Sequence, residues 1–161
     1  MVAGDEAGFA AILAYIDTAV MQVQKSAVAA AVRTLAHSLA TIANVVHVPC
    51  CRDILANRQV GKGGKDISAI ILHVLGTLKT ATMRTPQYEL LLTTMKILLS
   101  LVNTESIRRR LCAKKKWTEK LMATLKDVDS TGKRRGAAVD TPKSQILAEL
   151  CTVFGDFRQK S

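Results

Sequence analysis

The stretch Thr85-Pro86-Gln87-Tyr88-Glu89-Leu90-Leu91-Leu92-Thr93-Thr94-Met95-Lys96-Ile97-Leu98-Leu99-Ser100-Leu101-Val102 decides the fold class. Thr85-Pro86 reads as a helix start. A threonine oxygen at the N-cap accepts a backbone N–H that has no intrahelical partner, and proline at the first helical position gives up an N–H that would have none. Behind this signal, Leu90, Leu91, Leu92, Met95, Ile97, Leu98, Leu99 and Leu101 leave almost no polar face. A helix over 86–102 is therefore predicted to be central and covered on several sides. Its apolar run, 90–102, is shorter than the ~20 residues that span a bilayer and contains Lys96, so it reads as a core helix.

Working outward, the same period of 3.6 residues recurs. Asp66 is predicted to cap a helix over 67–79. From Phe9 to Val48 apolar residues return every third or fourth position, too long a run for one globular helix. Ser26 supplies an N-cap, giving helices over 5–24 and 27–47, the second ended by Pro49. Short helices are expected near 51–58 and 105–114. Another is expected over 118–128, capped by Thr118, with Trp117 and Met122 at the spacing of a hydrophobic staple. Thr141-Pro142 repeats the start signal and opens a last helix to about Phe157. Gly61-Lys62-Gly63-Gly64-Lys65 and 129–139 read as loops. The glycine stretch lacks the P-loop spacing, and no strand is expected before it.

The order short, medium, long apolar helix recurs along the chain. Thr85-Pro86-Gln87 corresponds to Thr141-Pro142-Lys143 at an offset of 56. Arg52-Asp53-Ile54-Leu55-Ala56 corresponds to Arg109-Arg110-Leu111-Cys112-Ala113 at 57, and Leu98–Asn103 to Leu39–Asn44 at 59. Such self-similarity signals a helical solenoid, in which each unit buries its face on the next. The chain resembles armadillo or HEAT-type repeats. Cys51-Arg52-Asp53-Ile54-Leu55 and Arg108-Arg109-Arg110-Leu111 look like the short first helix of the armadillo unit. Ala69–Leu75 and Lys120–Leu125 look like its second. The resemblance implies an all-α, right-handed solenoid of seven to eight helices in one domain, 1–161. Its units are 27–48 (partial), 49–103 and 104–158, with helix 5–24 as a cap. Two departures stand out. Lys114-Lys115-Lys116-Trp117 replaces the glycine between the first two helices of the last unit, and the groove asparagine of peptide-binding members falls near Leu99. The asparagine ladder is therefore not carried over. Two and a third units is short for a solenoid, so the chain is expected to belong to a larger solenoid or to complete itself by association.

Composition bounds the function. The chain has 161 residues, 48% of them apolar, enough for a real core, and only 4% are aromatic. Its formal charge of +10 is unevenly spread. Residues 1–80 carry +2 and 81–161 carry +8, and eleven Lys and Arg against three acids give 108–135 alone +8. Arg108, Arg109, Arg110, Lys114, Lys115, Lys116, Lys133, Arg134 and Arg135 are the candidate contacts with an acidic peptide or tail. Nucleic acid is the alternative partner, although only Trp117 interleaves where stacking aromatics would be wanted. An amphipathic partner helix seated between units is a further reading. Lys133-Arg134-Arg135 also reads as a nuclear import signal.

No catalytic motif is present in the sequence, and no cofactor or metal is expected. His47, Cys50 and Cys51 are close, but adjacent cysteines point apart and read as buried thiols. His37 and His73 lie on apolar helices and read as core or interface side chains. Without a cationic secretion signal, four cysteines that form no CxxC motif suit a reduced cytoplasmic or nuclear compartment. The expected role is a non-catalytic protein–protein interaction scaffold, with no membrane span.

Overall fold

The computed structural model describes residues 2–26, 28–60, 63–131 and 141–160, and the side chains of 7–26, 28–60, 63–131 and 142–155. Within these the chain is all-α apart from one small hairpin. Its elements are α1 (Val2–Lys25), α2 (Ala29–Val45), α3 (Pro49–Asn57), β1 (Gln59–Val60), β2 (Lys65–Asp66), α4 (Ile67–Leu78), α5 (Tyr88–Val102), α6 (Glu105–Cys112), α7 (Lys115–Ser130) and α8 (Thr141–Lys160).

Each helix buries the stripe that its period sets. α4 buries Ile67, Ile70, Ile71, Val74, Leu75 and Leu78, and α7 buries Trp117, Leu121, Leu125 and Val128. α5 is covered around most of its circumference, with Leu91, Leu98 and Leu101 fully inaccessible. It packs on α2, α4, α6 and α8, which is why it needs apolar side chains on nearly every side. α4 packs on both α1 and α7. Where α1, α2, α4 and α5 meet, Leu13, Ile16, Leu39, Ile42, Ile70, Val74 and Ile97 leave a void of only about 10 Å³, at or below one water.

α1 is the one described helix long and apolar enough to cross a membrane, over Ala7–Lys25. The sequence expectation of no span rested on other runs and overlooked this one. The stripe Phe9, Leu13, Ile16, Val20 and Val23 is buried where α1 packs on α2 and α4, and the buried share of that window is 33%.

Several helix ends depart from the sequence reading, each for a visible reason. Asp66 does cap α4, its carboxylate accepting the Ala69 N–H at 3.0 Å. Ser26 does not cap α2, whose N-cap is Val28 with no side-chain bond. Thr85 is not the cap of α5. Its hydroxyl donates to the Thr82 carbonyl at 2.9 Å and accepts the Thr82 N–H at 3.0 Å, so it closes a turn, and the helix starts at Tyr88. Pro49 does not merely end α2; it opens α3. α7 begins three residues before Thr118, which places Trp117 inside the helix rather than at a staple. Gln59 lies opposite Asp66 and Val60 opposite Lys65 in a short antiparallel ladder. Gly64 sits at φ 59°, a conformation that other residues adopt at a cost.

Candidate interaction surface

Arg108, Arg109, Arg110, Lys114, Lys115 and Lys116 lie on α6, on the turn that follows, and on the first turn of α7. Lys133, Arg134 and Arg135 lie outside the described residues. The structure sorts the first six into two kinds.

Four are engaged within the chain. Arg108 is half-buried and donates from Nη1 to the Val102 carbonyl at 3.2 Å, at the C-terminal end of α5. Arg109 pairs with Glu105 one turn back on the exposed side of α6. Arg110 reaches the end of α3, where Nη2 donates to the Ala56 carbonyl at 3.0 Å and Nη1 to Asn57 Oδ1. A cation at the negative end of a helix is well placed. Lys114 donates to Asp66 Oδ2, and to Ser68 Oγ at 3.3 Å.

The Asp66 carboxylate is thus shared by its own helix cap, Ser68 and Lys114. Burial by itself would raise its pKa. The hydrogen bonds from Lys114, Ser68 and the Ala69 N–H, together with the Lys114 charge, outweigh burial and hold it below 3.8. Beside this group, Trp117 Nε1–H donates to the Ser68 carbonyl at 2.9 Å, and its ring meets Phe154 of α8 at 6.3 Å between centroids. These contacts lock the α6–α7 corner to the start of α4 and give Trp117 a packing role.

Lys115 and Lys116 are different. Both are exposed in the first turn of α7, and neither side chain makes a hydrogen bond or ion pair among the described residues. Lys120 and Lys126 are also exposed with unpaired side chains; Lys116 and Lys120 follow one edge of the solvent side of α7 and Lys115 and Lys126 the other, the edges separated by roughly 80–140° at 3.6 residues per turn, with Glu119 between them. The core stripe Trp117, Leu121, Leu125, Val128 fixes that orientation. Helical spacing from Lys116 to Lys120 is the sequence signal for Lys120, which the charge run alone does not single out. Glu119 and Asp127 share the face, and Asp127 is paired with Lys79 at 2.8 Å.

The remaining candidates separate by exposure. Cys50 and Cys151 are exposed free thiols, contrary to the burial expected of Cys50. Cys112 is partly covered, and loss of solvent pushes its thiol pKa up, with Arg108 opposing. His37 is exposed. His73 bridges α4 to α1, its Nε2 at 3.1 Å from Gln24 Oε1. An open cavity of about 390 Å³ lies where Val23 and Gln24 face Gly76, Thr77, Thr80 and Gln87, with no ionisable side chain in its lining. Among the described residues no three His, Cys, Asp or Glu side chains gather as metal ligands. No family model, curated protein or solved structure matches this chain.

Proposed function

We propose that the chain is a non-catalytic interaction scaffold, built as a short armadillo-like solenoid, that engages an acidic or helical segment of a partner protein inside the cell as part of a larger assembly. The carrying observation is the outward side of α7, which exposes Lys115, Lys116, Lys120 and Lys126 with no ion pair among the described residues.

The solenoid reading draws support from which helices touch. α4 packs between α1 and α7, and α5 between α2 and α8. Side-chain bonds between elements distant in sequence also fall within a narrow range of separation, 46 to 54 residues. Lys65–Asp17 and Lys114–Asp66 are 48 residues apart, while His73–Gln24 and Trp117–Ser68 are 49 apart. Stacked units of similar length would produce such a ladder.

The scaffold reading predicts binding of an acidic peptide that weakens about tenfold between roughly 50 and 200 mM salt, as exposed charges are screened. Fluorescence anisotropy with a labelled dodecaglutamate peptide measures this. No binding at low salt would remove the acidic-partner reading. Nucleic acid is the alternative, and tighter binding of a duplex oligonucleotide with a steep log–log salt slope would favour it.

A further inference from the structure

We infer that the outward face of α7, through Lys115, Lys116, Lys120 and Lys126, is the surface that holds an acidic polypeptide segment. This rests on the scaffold reading and names its contact face and occupant. The first ground is the sorting of the cations. Arg108, Arg109, Arg110 and Lys114 are engaged with the chain itself, while these four lysines are exposed and unpaired among the described residues.

The second ground is a broken local rule. Helix N-termini carry partial positive charge and favour acids. The first turn of α7 holds no acid and two lysines, and no side chain caps it. Asp66 pairs with Lys114 at the N-cap, but no acid pairs with the side chain of Lys115 or Lys116 among the described residues. A local choice that opposes stability without an internal return points outward, to a ligand that supplies negative charge.

The third ground is shape and charge. Lys115 to Lys126 is eleven residues, about 16 Å at 1.5 Å per residue. An extended segment of about five residues covers that length. Trp117 is turned inward with its N–H engaged, so this face offers no ring for base stacking.

The test uses the full chain and two probes of similar charge, labelled dodecaglutamate and labelled dodecathymidylate. The variants are Lys115→Gln/Lys116→Gln/Lys120→Gln and a control of equal charge change, Lys25→Gln/Arg33→Gln/Lys96→Gln. The α7 variant is expected to lose at least tenfold in peptide affinity while its thermal midpoint equals or exceeds that of the unchanged protein. The control is expected to stay within about threefold. Equal losses in both variants, or undiminished affinity in the α7 variant, would overturn the assignment of this face. If the unchanged protein binds neither probe, or only dodecathymidylate, the acidic-partner reading beneath it fails instead.

Discussion

Asp66 and Trp117 show how much single residues hold at the α4–α7 contact. Asp66 titrates below 3.8 because its hydrogen bonds and Lys114 favour the carboxylate more than burial opposes it. A depressed carboxylate pKa gives stability that is complete above the unfolded value and is lost as pH falls through the folded one. The thermal midpoint of an Asp66→Asn variant should therefore lie below that of the unchanged protein by a constant gap at pH 5–7. The gap should narrow progressively as pH falls below 3.8, and a gap that stays unchanged through acid titration would contradict this role. Trp117→Phe keeps a ring against Phe154 but removes the donor to Ser68, so urea unfolding should show a loss of about 1–2 kcal/mol. Trp117→Ala should cost about 3–5 kcal/mol. The ring was legible as a packing residue from sequence, but its partner was not, since Ser68 lies 49 residues away.

At the scale of elements, helix interiors were legible and their ends were not. The core stripes of α4, α5 and α7 follow from the 3.6-residue period alone, because burial acts on whole faces. Capping depends on which of several competing backbone groups a hydroxyl finds. Thr85 found Thr82, and Thr118 donates to the Lys114 carbonyl at 3.2 Å from inside the helix. The hairpin escaped because its ladder is two residues long on each side. Two glycines give opposite predictions. Gly76 lies in α4, is exposed, and a Cβ there would meet nothing within 4 Å. Gly76→Ala should therefore stabilise by about 0.5–1 kcal/mol in urea unfolding, and a loss would mean that the cavity side of α4 carries an unseen constraint. Gly64→Ala should destabilise, because its φ is positive.

For the whole molecule, the sequence located charge by segment, and the structure divides that charge by use. Arg110 ties α6 to the end of α3, and Lys114 ties the α6–α7 turn to the start of α4. Arg110→Ala should thus lower the thermal midpoint even in high salt, since its bond to the Ala56 carbonyl is partly shielded. Such links join positions 48 to 54 residues apart, and no local pattern announces them. The lysine face of α7 was only half legible, because a run of like residues in sequence says nothing about which are engaged. The central claim is that this face takes an acidic segment. The most direct measurement is amide chemical-shift mapping of the full chain titrated with dodecaglutamate. The account predicts saturable shifts concentrated at residues 115–126, with little change in α2 and in the exposed positions of α5. Shifts centred on α2 and α5 instead, or scattered evenly over every exposed cation, would contradict it.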